Sequence, residues 1–512
     1  MRATIGVFLT VLAASVLVTG GHLYAPDDEV LFRLAQAIAF RAELSIEPIA
    51  KGFATMEGRD GRQYPQYGVG QAVLAAPLLW LGSALGRALG PKALALVRDE
   101  RDIQLANGDA SEIAQRFCAS FFNAFVSAFL AAAVFAFALR LTENKRAASS
   151  TALTYGLGTL ALAHSRTFFT EPLATLCVFG AFALLRLGWQ KRSSAQLAAG
   201  GAMAGASVLA RADSVVAWPA LLVLLAWSAL ETHNEKRRTQ NAAGQTQEPE
   251  WIWRACLAYL APMAAGAACL AMLNWWRFGS ALETGYRDQP EGVQFATPIL
   301  VGLHGLLFSP GRGLIFFSPP LVLSLWAFGS LYRRNRRVAV AAGLLALSVL
   351  LFHACWRNWS GGWCWGPRHI FMIHVFLALP IAAWLAEKPV FWPRRAALAV
   401  LFAVGLAVQI YGCSQDFVQF YQVMYATPGR DPNFLALYST EEEAWHRPHY
   451  QVWRRGADGQ WEILPLQWIG APINDSLYIP QNSCWSGYAE MAGRGYHDFF
   501  WLRLMGCRSH PD

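Results

Sequence analysis

Long apolar runs recur through the first 412 residues of this chain, and they limit its possible folds more than any other feature. A backbone that crosses the hydrocarbon core of a bilayer has to satisfy its own hydrogen bonds, so each run of about 20 apolar residues predicts a transmembrane helix. Only 15% of the residues are charged, whereas soluble domains carry about 25%. We therefore predict an all-α polytopic membrane protein with about eleven transmembrane helices, at residues 3–23, 115–139, 150–163, 172–188, 196–211, 214–230, 255–274, 314–331, 338–355, 369–386 and 396–412.

Clustered Lys and Arg side chains in five short links set the predicted orientation. Positive residues favour the cytoplasmic side of a membrane, and all five clusters fall there if the amino terminus is cytoplasmic and residues 71–90 form an interfacial helix that does not cross. This arrangement predicts a long first outer loop at 24–113, with other outer loops around Glu171 and at 275–313 and 356–368. The clusters are Arg140, Lys145 and Arg146; Lys191 and Arg192; Lys236, Arg237, Arg238 and Arg254; Arg333, Arg334, Arg336 and Arg337; and Lys388, Arg394 and Arg395.

The net charge of +8 lies in these links and not in a basic tail. No zinc-finger spacing or CxxC pair is present, so the sequence favours neither nucleic-acid binding nor a metal cluster. No internal repeat is evident, which weighs against transporter folds built from duplicated halves. Residues 3–23 resemble a cleavable signal peptide, but we expect a retained span because it anchors the acids that follow. The polar stretch 239–250 predicts a flexible cytoplasmic loop.

Residues 413–512 differ from the rest in being polar and rich in tryptophan and turn-forming residues. They predict a small extracytoplasmic domain of mixed secondary structure, attached to a membrane domain at 1–412. In an oxidising compartment Cys484 and Cys507 can form a disulfide, with Cys413 or Cys364 as competing partners.

Asp27, Asp28 and Glu29 directly follow the first apolar run. Carboxylates at a membrane boundary are costly to desolvate, so a cluster of them there is a candidate functional site. The alternative is helix capping, because acidic residues favour the start of the helix predicted at Val30–Phe40. We expect one of the three acids to cap that helix. Glu171, just before a proline, poses the same choice between a cap and a second functional carboxylate.

Loops rich in arginine, aromatic residues and glycine lie outside in the same topology. Aromatic rings stack on sugar faces, and a guanidinium group binds phosphate in a fork geometry that lysine cannot reproduce. The alternative is an aromatic belt with snorkelling arginines at the headgroup level. A belt does not require glycines beside the arginines, where they let a ligand approach the backbone. The candidate substrate- or phosphate-binding residues are Tyr64, Arg166, Arg277, Arg312, Trp363 and Arg368.

Four motifs stand out along residues 1–412. They are the acids after the first span, Tyr64-Pro65-x-x-Gly68 before the interfacial helix, Asn274-Trp275-Trp276-Arg277-Phe278-Gly279, and Gly366-Pro367-Arg368 before an apolar span. Together these motifs resemble the GT-C glycosyltransferases. They are most similar to bacterial members that use polyprenyl-phosphate sugars, relatives of protein O-mannosyltransferases and of the lipid A aminoarabinose transferase.

The resemblance implies a general base among Asp27, Asp28 and Glu29 and a second acid at Glu171. It also implies a polyprenyl-phosphate-linked sugar as donor and a glycan, lipid or protein as acceptor. The membrane would be the bacterial inner membrane, with the active site facing the periplasm.

The chemistry of sugar transfer indicates which of these residues suits each catalytic role. Breakdown of a sugar phosphate passes through an oxocarbenium-like state, the acceptor hydroxyl needs a positioned base, and the departing phosphate needs preset positive charge. We expect Asp28 as the base, with Asp27 next, Arg312 or Arg368 on the phosphate, and inversion at the anomeric carbon. No metal ligands are evident, although a divalent cation can take over part of the arginine role.

Two other classes of function fit the same sequence. A transporter or flippase of lipid-linked sugars would use the arginines for binding alone. Arg211 and Asp213, at the end of a short span, favour that class unless they form a structural ion pair. A non-catalytic envelope assembly protein would use its tail to bind a partner. Charges clustered in outer loops favour the transferase.

Overall fold

The computed structural model describes residues 2–48, 54–97, 105–243, 250–287, 295–389, 391–418, 420, 434–436, 452–455, 461–463, 477, 483–493 and 495–505. Most of them are helical, as the apolar runs predict. The helices are α1 (Arg2–Val18), α2 (Pro26–Arg41), α3 (Val69–Leu89), α4 (Leu94–Val97), α5 (Ala110–Ala119), α6 (Phe122–Thr142), α7 (Lys145–Gly158), α8 (Leu160–His164), α9 (Glu171–Gln190), α10 (Ser194–Ala210), α11 (Trp218–Ala243), α12 (Glu250–Phe278), α13 (Ile299–Phe308), α14 (Leu314–Phe317), α15 (Ser324–Arg334), α16 (Arg336–Cys355), α17 (Ile373–Leu385), α18 (Trp392–Cys413), α19 (Cys484–Gly493) and α20 (Phe500–Leu504).

Within the described residues, seven helical segments are long and apolar enough to cross a membrane. Three shorter apolar helices, α1, α13 and α17, accompany them. Together they indicate a multi-pass helical membrane protein, while the count of eleven crossings stays a prediction. The seven segments are Val69–Val97, Ala110–Thr142, Glu171–Gln190, Ala212–Asn234, Glu250–Phe278, Arg336–Cys355 and Trp392–Cys413.

Residues 71–90 lie in and just beyond α3, whose length and composition suffice for a span. The main partners of this helix are α2 and α5, and it also contacts α10. Gln71, near its start, donates a hydrogen bond to the Phe168 carbonyl, and Trp80 donates to the Ala39 carbonyl at 3.1 Å. Phe168 and Ala39 belong to predicted outer loops, but α5 and α10 overlap the predicted spans 115–139 and 196–211, so the interfacial placement stays a prediction.

Small residues let α10 pack closely on α12. A Cβ added to Gly201 would lie 2.0 Å from the Tyr259 carbonyl oxygen, and one on Gly205 would lie 3.0 Å from the Cα of Gly266. In lipid, where apolar side chains gain nothing by leaving the solvent, such close backbone contact stabilises helix pairs by van der Waals packing. This packing fixes the end of α10, where Arg211 follows.

Two short sheets flank the helices. The first pairs β1 (Thr55–Glu57) with β2 (Gln63–Pro65) in the first predicted outer loop. The second, in the tail, is antiparallel with the order β3 (Phe434–Ala436), β4 (Val452–Arg455), β5 (Trp461–Ile463). With α19 and α20, these strands give the described part of the tail both kinds of secondary structure.

Two expectations need correction. The stretch 239–250 is helical through Ala243 at the end of α11, because its Thr, Gln, Asn and Ala residues continue a helix already under way; residues 244–249 lie outside the described residues. Cys364, Cys413 and Cys484 are free thiols, so the competing disulfides among them do not form. Cys507, the preferred partner of Cys484, also lies outside the described residues.

Asp498 connects the tail to the helical part of the chain through buried hydrogen bonds and an ion pair. Its buried carboxylate lies 2.7 Å from His22 Nε2 and accepts hydrogen bonds at 2.8 Å from the Tyr24 hydroxyl and from Arg166. Its backbone N–H donates to the Ser414 carbonyl at 3.0 Å. The tail therefore packs at the end of the bundle where α1 stops and the acidic residues begin.

We expect Asp498→Ala to lower the free energy of unfolding by about 3–5 kcal/mol, because removing one partner leaves a buried guanidinium charge uncompensated. Thermal unfolding of the purified protein in detergent measures the change. Glu57→Ala, at an exposed strand position, is the control, since surface substitutions stay within about 0.5 kcal/mol. An Asp498→Ala loss no larger than the control's would mean that other contacts hold the tail.

Candidate active site

The three acids occupy the first turn of α2, which begins at Pro26. Successive residues of a helix point about 100° apart, so the three carboxylates face different directions. Asp28 turns back on the helix start, where its Oδ2 atom accepts hydrogen bonds from the N–H groups of Tyr24 at 3.2 Å and Ala25 at 3.3 Å. Asp28 is thus the acid that caps the helix, and it is fully buried.

Burial raises the pKa of the Asp28 carboxyl to about 7, against the opposing effect of the backbone hydrogen bonds. In the unfolded chain the pKa of this carboxyl is about 4. At pH values between about 4 and about 7, the unfolded chain therefore releases a proton that the folded protein retains. The folded state therefore loses stability as the pH rises through that window.

We expect this one group to lower stability by up to about 4 kcal/mol between pH values of about 4 and about 7. Asp28→Asn keeps an acceptor oxygen for the cap but cannot ionise, so it should remove this part of the pH dependence. Thermal unfolding in detergent from about pH 5 to about pH 8 compares the two proteins. Parallel curves for wild type and variant would contradict the assignment.

Glu29 belongs to an ion-pair network between α2 and α5. Its carboxylate contacts Arg116 at 2.6 and 2.9 Å and Arg33 at 2.9 Å. Burial alone would raise the pKa of Glu29, but the charges and hydrogen bonds of the two arginines outweigh burial and lower that pKa to about 2. This environment suits a structural carboxylate and opposes proton uptake.

Asp27 faces away from the cap, and its Oδ2 atom lies 2.7 Å from a guanidinium nitrogen of Arg368. Both side chains keep some exposure, 14% for Asp27 and 12% for Arg368. Tyr67 also hydrogen-bonds to Asp27, and burial raises the pKa of this phenol well above its ordinary value, so its hydroxyl remains a donor. Among the three acids, Asp27 is the one with appreciable exposure to solvent.

Arg368 retains spare hydrogen-bonding capacity. Its guanidinium carbon lies 4.6 Å from the centre of the Phe169 ring, and its Nε–H has no partner within the described part of the chain. Gly361, in the left-handed region at φ +81°, lies so close that an added Cβ would be 2.8 Å from the Cγ of Arg368. Glycine there leaves room for a guanidinium whose open N–H group suits an anionic oxygen.

Glu171 starts α9 and lies beside a second group of charges at the end of α10. Its Oε1 atom accepts a hydrogen bond from Arg211 at 2.9 Å. Arg211 also lies 2.8 Å from Asp213 and 3.3 Å from His369 Nδ1. His353 Nε2 lies 3.3 Å from Asp213. Arg211 and Asp213, which favour a transporter on sequence grounds, therefore form one ionic group with Glu171, a predicted site acid.

The two groups of charges are coupled through Arg368. Burial lowers the pKa of its guanidinium, but Asp27 and Glu171 more than compensate and raise that pKa well above its ordinary value. The described residues contain no group of three or more His, Cys, Asp or Glu side chains placed to hold a metal ion.

A cavity of about 100 Å³ lies beside these charges. Arg211 and Asp213 line one part of it, and Tyr67, Tyr286 and Trp356 line another. Tyr67 joins this cavity to Asp27 through its hydroxyl. The cavity thus offers ionic groups and aromatic faces together, which are the two features that a sugar phosphate requires.

Arg166, Arg277 and Arg312 are placed differently from Arg368. All three are buried, whereas Arg368 keeps some exposure; the cavity lining includes none of these four arginines. Their N–H groups hold loops together by donating to backbone carbonyls: Arg166 to Gly412, Cys413 and Gln415, Arg277 to Leu273 and Pro65, and Arg312 to Gly311, Ser360 and Gly362. Their phosphate-binding role stays a prediction, and their bonding favours a structural one.

The predicted aromatic residues also lie outside the cavity lining. Tyr64 is buried, donates its hydroxyl to Asp60 at 2.7 Å, and packs edge-on against Trp276. Trp363 is half-buried against the apolar core. Tyr67, three residues after the predicted Tyr64, lines the cavity instead.

Sequence reasoning misses Tyr286, His353 and His369 as site residues. The one available signal is the break between two apolar runs at Arg211 and Asp213, because ionisable residues at the end of a span mark functional sites. The sequence around Tyr286, His353 and His369 does not distinguish these three residues from loop or helix residues elsewhere.

The fold and the site together define a class: a multi-pass helical membrane protein with a charged, aromatic-lined cavity at one end of its bundle. No protein-family model matches the chain, and no curated protein does. The solved structures that are similar to it include two of ArnT from Cupriavidus metallidurans. For ArnT bound to undecaprenyl phosphate the identity is 14% and the TM-score 0.48, and for the apo state they are 12% and 0.41.

These alignments cover 83% of this chain in both cases. They span 65% of the first ArnT chain, less than two thirds of its length, and 78% of the second. ArnT is a GT-C glycosyltransferase, the family that the motifs of this chain resemble. The TM-scores are too low for the likeness to carry an activity or a substrate across to this chain.

Proposed function

We propose that this chain is a membrane glycosyltransferase that moves a sugar from a polyprenyl-phosphate carrier to an acceptor hydroxyl, with inversion at the anomeric carbon. The observation that carries the proposal is the Asp27–Arg368 pair, a partly exposed carboxylate and a partly exposed guanidinium 2.7 Å apart. One group accepts a proton and the other binds phosphate. The acceptor, whether glycan, lipid or protein, needs only a nucleophilic hydroxyl at this position.

Asp27 is the proposed general base, ahead of Asp28. A pKa of about 7 makes Asp28 the better match to a base at neutral pH, but a base must first lie within hydrogen-bonding reach of the proton it removes. Asp28 has no exposed surface, whereas Asp27 has. As the acceptor oxygen bonds to the anomeric carbon, its proton passes to the Asp27 carboxylate.

Arg368 is proposed to bind the departing phosphate. The bond from the anomeric carbon to the phosphate oxygen breaks as the new bond forms, and its electron pair stays on the phosphate. Donors already aimed at the oxygen that gains charge stabilise the transition state. Glu171 is proposed as a supporting acid that holds Arg211 at the cavity wall and does not itself transfer a proton.

The proposal places this site at the periplasmic face of a bacterial inner membrane, with eleven crossings and residues 71–90 in the outer interface. This placement is supported by the way in which contacts group at the two ends of the bundle. Asp27, the loop before α9 and the tail meet at one end of the bundle, while basic links contact one another elsewhere, as where Arg334 donates to the carbonyls of Leu141 and Thr142.

The experiment is a transfer assay with purified protein and polyprenyl-phosphate-linked sugars. We expect release of polyprenyl phosphate by the wild type, with water as a slow acceptor, and a product of inverted anomeric configuration by NMR. In liposomes, a transporter would instead move the intact donor across the bilayer. Movement of intact donor without phosphate release, for every sugar tried, would reject the transferase.

A further inference from the structure

A second cavity, of about 310 Å³, lies between α7, α17 and α18. It is at the far end of these helices from the candidate active site, since α8 follows α7 toward that site and the end of α18 contacts Arg166. The proposed reaction does not use it. Its walls are mainly apolar, including Leu153, Leu157, Leu398 and Phe402, and Arg146 and Arg395 lie at its rim.

The two rim arginines lie in the first turns of α7 and α18 and are exposed. Within the described part of the chain, neither makes a hydrogen bond or an ion pair. Their neighbours differ: Arg394 and Arg333 both pair with Glu387, at 2.6 and 2.7 Å. The rim thus presents two guanidinium groups that no carboxylate among the described residues neutralises.

We propose that this cavity binds an anionic bilayer phospholipid. Its phosphate lies on Arg146 and Arg395, and one acyl chain runs along Leu153, Leu157 and Phe402. Guanidinium groups bind phosphate through paired N–H donors, and the apolar wall stabilises the chain by van der Waals packing. Both arginines belong to the basic links assigned to the cytoplasmic side, where anionic lipids collect around basic residues between helices.

Binding of phosphatidylglycerol and of phosphatidylcholine to the purified protein in detergent tests the proposal, by native mass spectrometry and by thermal shift. We expect phosphatidylglycerol to bind and phosphatidylcholine to bind much more weakly. Arg146→Ala with Arg395→Ala should weaken phosphatidylglycerol binding about a hundredfold, as the loss of two charge-assisted contacts implies. Leu157→Trp, which fills the cavity and keeps the arginines, should also weaken it.

The matched control is Arg140→Ala with Lys145→Ala, which removes the same charge from two exposed positions on the same side. Its affinity should stay within about threefold of wild type. Equal losses in the two double variants would overturn the proposal by reducing it to general surface attraction. An equal thermal shift with inorganic phosphate, with polyprenyl phosphate or with phosphatidylcholine would overturn it too, since a bilayer phospholipid would then not be the preferred occupant.

Discussion

Asp27→Asn is expected to lower the rate of sugar transfer by about 10²- to 10⁴-fold, the range found when a general base is removed. Asparagine has nearly the same shape and still accepts a hydrogen bond from Arg368, but its amide cannot take a proton from the acceptor hydroxyl. The effect should fall on kcat and leave KM for the donor nearly unchanged, because binding the donor requires no proton transfer. Release of polyprenyl phosphate by the purified proteins measures it.

Asp28→Asn is the matched control, since it makes the same chemical change one residue further along the same helix. Asn keeps an oxygen that can accept from the N–H groups of Tyr24 and Ala25 at the helix start, so transfer should stay within about threefold of wild type. Thermal unfolding checks that both variants fold. Full activity in Asp27→Asn, or a loss confined to Asp28→Asn, would move the base from the exposed carboxylate to the buried one.

The choice between these two acids marks a physical limit of sequence reasoning. A carboxylate cluster after the first span, with one member capping the next helix, follows from desolvation and helix-end preferences. Which acid meets Arg368 depends on the rotation of the first turn of α2, which begins at Pro26. With about 100° between successive residues, a shift of one position would bring Asp28 to the place beside Arg368 that Asp27 occupies.

Sequence reasoning also cannot tell which of the arginines binds a ligand, for a different reason. Their outer-loop positions follow from the predicted topology, and the pairing of Arg368 with an acid of the first loop agrees with the expected site. A buried arginine must satisfy up to five N–H donors, and whether carbonyls or a ligand do so depends on loop conformation. Arg166 meets Asp498, which lies 332 positions away in the chain, and no local pattern encodes such a contact.

The helices are easier to predict from the sequence than the site, because the hydropathy of a segment directly indicates whether it can lie in lipid. Two predicted spans are nevertheless interrupted: 150–163 forms α7 and α8, and 314–331 contains α14, a 3-10 turn and α15. The interruptions meet, since the Leu160 N–H donates to the Ser318 hydroxyl at 3.0 Å. Backbone groups freed by one break are thus satisfied by a residue of the other, which makes breaks tolerable in a membrane protein.

Arg368→Lys is expected to lower turnover by about 10²- to 10³-fold, the range found when a preset donor to a developing anion is lost. Lysine keeps the positive charge, but its compact ammonium cannot hold Asp27 and reach a phosphate oxygen at once as a planar guanidinium does. Unlike Asp27→Asn, this change should also weaken binding of the product polyprenyl phosphate. Turnover and product affinity, measured on the same preparations, separate the two roles.

Arg357→Lys, at an exposed position of the same loop, makes the same replacement without touching the pair and should leave both quantities within about twofold of wild type. Groups that act as a unit have non-additive effects. The Asp27→Asn, Arg368→Lys double variant should therefore be no slower than the slower single variant by more than about threefold. Losses that multiply would assign the two side chains to independent steps, and unchanged turnover in Arg368→Lys would remove this arginine from the reaction.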